Sequence, residues 1–178
     1  MILRPARSEE TRLLDQLVQE SARVLNAPYL TPHEARSVLQ YAIGFDLRLV
    51  EDGTYLVAEE DGAIVGGGGW SRRGSLAGDG PVGPRGDDGR LDPAHDAAPL
   101  RSFFVRPGLA RRGIGTRLLA ACESAARAAG FGALELLATP AGEQLYRARG
   151  FEVVERNEMR HPDGLVFHPA RMTKRIRR

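Results

Sequence analysis

Apolar residues recur along this chain at two spacings, and the switches between them mark its elements. Ile2-Leu3-Arg4-Pro5-Ala6 reads as a short first strand. Ser8, with Glu9 and Glu10 in the turn after it, then opens a helix whose stripe is Leu13, Leu14, Leu17, Val18, Ala22 and Leu25. Thr31-Pro32 with Glu34 is a capping box with proline at the first helical position. A second helix therefore starts there, turns Val38, Leu39, Ala42 and Ile43 inward and stops near Gly44. Tyr55 to Glu59 and Ala63 to Gly66 flank Glu60-Asp61-Gly62 and predict an antiparallel hairpin. Its second strand runs into Gly66-Gly67-Gly68-Gly69-Trp70, where consecutive glycines mark either a bulge or a close approach to the floor of a site. Trp70 either packs there or lines a pocket.

The second half repeats the switch more sharply. Leu100 to Val105 is a strand stopped by Pro107-Gly108. From Ile114 the apolar residues Leu118, Cys122, Ala125, Ala126 and Ala129 share one helical face, closed by Gly130. Ala133 to Thr139 is the next strand, parallel to the one before because a helix connects them. A short helix carrying Leu145 and Tyr146 ends at Gly150, and strands follow at Phe151 to Arg156, Leu165 to Phe167 and Arg171 to Lys174. The pattern predicts one α/β domain spanning residues 1–178, with helices packed on a mixed sheet.

Composition narrows the partners. With 178 residues, 42% of them hydrophobic, the chain can bury one real core. Lys and Arg number 25 against 23 for Asp and Glu, and a net charge of +2 does not make a nucleic-acid binder, even with the basic tail Lys174 to Arg178. Charged residues follow the first strand at once and no apolar run is long enough to span a bilayer, so a cytoplasmic protein is expected, without membrane contact. The lone Cys122, among alanines, is a small core residue.

Residues 73–98 break the pattern. Six glycines, three prolines and five aspartates leave little to bury, so the segment reads as a long loop or lid. Asp87, Asp88, Asp92, His95 and Asp96 lack the spacing of a calcium loop or a zinc set, and no metal is expected. As an acidic lid, the segment would concentrate a cationic substrate. The competing account is a passive loop.

Candidate chemistry sits between the central strand and its helix, at Ala110-Arg111-Arg112-Gly113-Ile114-Gly115-Thr116. The first amides of a helix lack internal partners and carry the positive end of its dipole, so Gly113 and Gly115 let a phosphate approach while Arg111 and Arg112 add charge. Val105-Arg106-Pro107, then Gly113-Ile114-Gly115, then Tyr146 through Gly150-Phe151 stand in the order in which this chain resembles the GNAT superfamily of acetyl-CoA-dependent N-acetyltransferases. The resemblance is specific over about residues 97–160. Ala110 departs from it, standing where that family carries Arg or Gln.

The resemblance implies a mostly antiparallel sheet of six to seven strands, flanked by about four helices, with a central parallel pair splayed at the cofactor site. It implies acetyl-CoA as acetyl donor, held by Arg111 to Thr116, by Phe103, Phe104 and Val105, and by Ala138 and Thr139 across the gap. Tyr146 matches the position of the family's general acid. The acceptor is an amine of a small molecule or peptide, and homodimers are common in such folds. Tyr29, His33 and Tyr41, on helices that border the acceptor cleft, and Trp70 and Asp96 are the candidates to touch it. A general base is not assigned among Glu59, Asp96 and Glu135, and a water chain can replace it.

Two rivals stand beside this reading. Gly113-x-Gly115 after a strand, with Glu135 about twenty residues on, suggests a dinucleotide-dependent oxidoreductase, but Leu118 occupies the third glycine position. An acyl-CoA-binding sensor without turnover is the other.

Overall fold

A computed structural model of the chain describes residues 1–74 and 89–176. Its strands are β1 (Ile2–Pro5), β2 (Tyr55–Glu60), β3 (Ala63–Trp70), β4 (Ala98–Val105), β5 (Ala133–Ala138), β6 (Glu152–Arg156), β7 (Met159–Arg160), β8 (Val166–Phe167) and β9 (Ala170–Arg175). Seven of them form one mixed sheet in the order β1-β2-β3-β4-β5-β9-β6, and β7 pairs with β8 in a separate ribbon. Every neighbouring pair is antiparallel except β4 and β5. This is the mixed, mostly antiparallel α/β architecture that the sequence predicts.

Among the described residues five α-helices flank the sheet, one more than expected: α1 (Thr11–Asn26), α2 (Pro32–Tyr41), α3 (Arg48–Glu51), α4 (Ile114–Ala128) and α5 (Pro140–Ala148). The extra one, α3, is too short to show a period, and it buries Leu49 and Val50. The predicted capping box starts α2, with the Thr31 N–H donating to Glu34 at 2.8 Å and the Glu34 N–H returning to Thr31 Oγ1 at 3.3 Å. Leu14, Leu17 and Val18 of α1 pack on Tyr55, Val57, Ile64 and Phe104 of the sheet. Leu119, Cys122 and Ala126 of α4 pack with Trp70, Leu100, Leu134 and Leu136. Fully buried, Cys122 is the small core residue expected of it.

The sheet comes apart at its centre. β4 and β5 pair only through Ala98 with Leu134 and Pro99 with Glu135, although both strands run on beyond that point. The cause lies partly in β4, where Gly69 faces Arg101 and Gly67 faces Phe104, so Ser102 and Phe103 stand opposite Gly68 alone. Such a bulge bends its strand. Ser102 is left-handed, at φ +53°, a conformation that costs a serine about 1–2 kcal/mol. Three hydrogen bonds hold it there. The Tyr55 hydroxyl donates to its carbonyl at 2.7 Å, the Asp46 N–H donates to its Oγ at 3.1 Å, and that Oγ donates to the Gly44 carbonyl at 3.4 Å.

Beside the bulge, Arg101 Nη1 and Asp46 Oδ2 form an ion pair at 2.6 Å, with side chains only 5% and 2% exposed. Asp46 also accepts from the Arg48 N–H at 3.1 Å and from Arg48 Nε at 3.3 Å. The glycine run serves this region by admitting side chains and not a ligand. A Cβ at Gly68 would lie 2.6 Å from the Phe103 ring, and one at Gly67 would lie 2.7 Å from both Phe104 and the Tyr55 hydroxyl.

Of the expected loop, residues 75–88 lie outside the described residues, and Asp79, Asp87 and Asp88 with them. The described remainder is ordered by local bonds. Arg73 bonds Asp52 at 2.8 Å, Asp92 bonds His95 at 2.6 Å, and Asp96 accepts from the Asp92 N–H at 2.7 Å. Ala98, expected to end the loop, is already the first residue of β4. No helix among the described residues is long and apolar enough to cross a membrane.

Candidate active site

Where β4 and β5 part, a cavity of about 720 Å³ opens between them. Phe103, Phe104 and Val105 line it from β4, and Leu137 and Thr139 from the β5 side. Ala138 does not reach it, because alternation along β5 turns that residue into the core, where it is 2% exposed.

Arg111, Gly113, Ile114, Gly115 and Thr116 close one end of the cavity. Arg112 is exposed and not among the residues lining it. The chain enters α4 through two left-handed residues, Arg111 at φ +66° and Gly113 at φ +83°. Gly113 is the N-cap, and no side chain caps the first amides of the helix. Those donors and the helix dipole make this turn fit for a phosphate or pyrophosphate, even with Ala110 where the family carries Arg or Gln.

A polar chain crosses the rim. Arg111 Nη1 donates to Gln144 Oε1 at 3.4 Å, and Gln144 Nε2 donates to the Tyr29 hydroxyl at 3.3 Å. Tyr29, 49% exposed, is thus the one candidate acceptor contact that lines the cavity. Tyr41 packs beside His161 with ring centroids 5.6 Å apart, and His33 is exposed in the first turn of α2. Trp70 is 4% exposed and stacks edge-on to Phe131, in the core. Asp96 stands just before β4, at the opposite end of that strand from Val105. None of these four reaches the cavity wall.

Tyr146 sits in the wall, on α5. Its ring meets Phe103 and Phe151 edge-on, at centroid distances of 6.3 and 5.7 Å. Burial, reinforced by the neighbouring Cys122, pushes its hydroxyl well above the usual tyrosine value. The group is therefore a neutral O–H donor throughout the ordinary pH range. Helix α5 is held in place by Asn26, whose Oδ1 accepts the Ala141 N–H at 3.1 Å while its Nδ2 donates to the Ala22 carbonyl at 3.0 Å. Sequence reasoning missed this contact, since nothing local links residues 115 positions apart.

The three carboxylates weighed as bases are engaged elsewhere. Glu59 takes Arg4 Nε at 2.7 Å, Glu135 takes Arg171 Nη2 at 3.0 Å, and Asp96 belongs to the turn before β4. No Asp or Glu is found among the described residues that line the cavity.

Solved structures share this architecture. The chain resembles a GCN5-related N-acetyltransferase from Rhodopseudomonas palustris at 21% identity and a TM-score of 0.72, covering 98% of this chain and 95% of that one. It resembles the paia N-acetyltransferase from Thermoplasma acidophilum, solved with coenzyme A, at 15% identity and a TM-score of 0.68 over 98% of each chain. A GNAT family acetyltransferase from Brucella melitensis, solved with acetyl-CoA, matches at 18% identity and a TM-score of 0.57, covering 99% of this chain and 88% of that one. No curated protein matches the chain. Its sequence from residue 13 to 151, which runs from α1 through the parted strands to the end of α5, matches the profile of the acetyltransferase (GNAT) family. A match of that extent excludes the dinucleotide-dependent reading, and with it the chain belongs to the GNAT acetyltransferases.

Proposed function

We propose that the protein transfers the acetyl group of acetyl-CoA to the amine of a small molecule, within a ternary complex. The observation that supports this best is the gap between β4 and β5, with the uncapped start of α4 at one end and the neutral Tyr146 in its wall.

Each part of the cavity has a task. The amides of the first turn of α4, with Arg111 beside them, hold the pyrophosphate. Phe103 to Val105, which have no β5 residue opposite them, line the gap and orient the pantetheine arm. Bound acetyl-CoA supplies an activated acetyl group, whose carbonyl carbon bonds to the amine nitrogen as the C–S bond breaks and the sulfur leaves as a thiolate. Tyr146 donates the proton that this thiolate takes up, and the proton that the amine nitrogen loses as the amide forms returns, through water, to the tyrosine oxygen. Phe103 and Phe151 fix the direction of its hydroxyl by packing on the ring.

Calorimetry with acetyl-CoA tests the binding half of the proposal. Gly113→Val places a β-branched residue at φ +83° and crowds the approach to the amides, so affinity is expected to fall about 10- to 100-fold. Full-strength binding by this variant would remove the α4 turn from the site. Binding by the wild type without thiol release over a broad amine panel would make the protein a sensor.

A further inference from the structure

We infer that the acceptor is a small monoamine with an apolar body, an aryl- or alkylamine, and not a polyamine, an aminoglycoside or another polycation. The inference rests on acetyl transfer at this site and concerns the part of the cavity wall supplied by α1, the chain after α2 and the β7–β8 ribbon. Val18 and Leu25 of α1, Ile43 after α2, and Met159 and Phe167 of the β7–β8 ribbon make that wall apolar.

Its charge is one-sided. The described residues lining the cavity include three arginines, Arg101, Arg111 and Arg149, and no carboxylate. Arg101 is already paired with Asp46 at 2.6 Å. Two of the lining hydroxyls are also engaged, Ser21 by the Val105 N–H at 3.4 Å and Ser102 by the Asp46 N–H and the Gly44 carbonyl. A second ammonium on the acceptor would lose water here, gain no counter-charge from the described lining residues and face arginines, whereas an aromatic or aliphatic body would gain by leaving water.

The same wall acts on the reacting nitrogen. Desolvation without a counter-ion disfavours an ammonium, so the amine binds in its neutral, nucleophilic form, its proton having gone to solvent on entry. The cavity thereby needs no carboxylate base. An acidic lid that gathers cations, the expectation from residues 73–98, predicts the reverse preference.

The experiment measures acetyl-CoA-dependent thiol release with phenethylamine and isoamylamine against spermidine and kanamycin, alongside calorimetric binding of acetyl-CoA. Expected is a kcat/KM for the two monoamines at least about tenfold above that for either polycation. Ile43→Asp, which places a carboxylate in the apolar wall, should raise the KM for phenethylamine and lower that for spermidine while leaving acetyl-CoA affinity unchanged. Equal or faster turnover of spermidine or kanamycin, with acetyl-CoA binding intact, overturns the inference and leaves the acetyltransferase reading standing. Loss of the reading itself shows differently, as failure of the wild type to bind acetyl-CoA or to acetylate any amine, and takes the inference with it.

Discussion

Tyr146→Phe is expected to lower the turnover number by about 10²- to 10⁴-fold while acetyl-CoA affinity stays nearly the same. The substitution keeps the ring, and with it the edge-on contacts to Phe103 and Phe151, and removes only the oxygen. A packing role would survive that change. Because burial keeps the hydroxyl protonated in the wild type, its ability to donate should not titrate between acid and mildly alkaline pH. Stopped-flow or steady-state thiol release, with calorimetry on the same samples, separates the two effects. Unchanged turnover would return Tyr146 to the core.

The second large effect is on stability. Asp46→Ala takes from the buried Arg101 guanidinium the carboxylate that meets it at 2.6 Å, and breaking a buried pair from one side costs about 3–5 kcal/mol. In a chain of this size each kcal/mol is about 2–4 °C in Tm, so a fall of about 6–20 °C is expected in a thermal melt. Asp46 has a second task, since its N–H holds Ser102 in the bulge. That bond runs through the backbone and is open to Asp46→Asn as well, which keeps the shape of the side chain and removes the charge. A Tm for Asp46→Ala within about 2 °C of wild type would show that the pair contributes nothing, as many exposed pairs do.

Much of the molecule could be read before it was seen. Periodicity placed α1 and α4, a capping box placed α2, the terminating Gly150 placed α5, and turn chemistry placed the β2–β3 hairpin and the glycine-bearing turn before α4. What escaped depended on contacts between residues far apart in sequence. Ser102 carries no mark of its left-handed backbone, because serine is not the residue that usually signals one; its partners Tyr55, Asp46 and Gly44 lie some 50 positions away. Nothing in the local sequence around Asp46 or Arg101 marks them as the buried pair that the fold makes of them. Trp70 and Asp96 were candidates through nearness in sequence to the glycine run and to β4. Strand geometry sends the first into the core, and the second stands at the far end of β4. The position of Tyr146 was visible through a motif, but the bond by which Asn26, at the end of α1, anchors the start of its helix was not.

The two residue pairs that join β4 to β5 have a mechanical consequence. β1 to β4 form one ribbon and β5, β9 and β6 another, stitched at Ala98 and Pro99 and open like an unsewn seam from Leu100 onward. A ligand arm lying in that opening would take the place of the missing ladder, bridging backbone groups that have no strand opposite them. Rigidity would then follow occupancy. Amides from Leu100 to Val105 that face the seam should exchange with deuterium faster in the empty protein than in the presence of acetyl-CoA, while those of β2 and β3, hydrogen-bonded on both sides, should barely respond. The opening between β4 and β5 and the line along which the sheet is least stitched are thus the same feature.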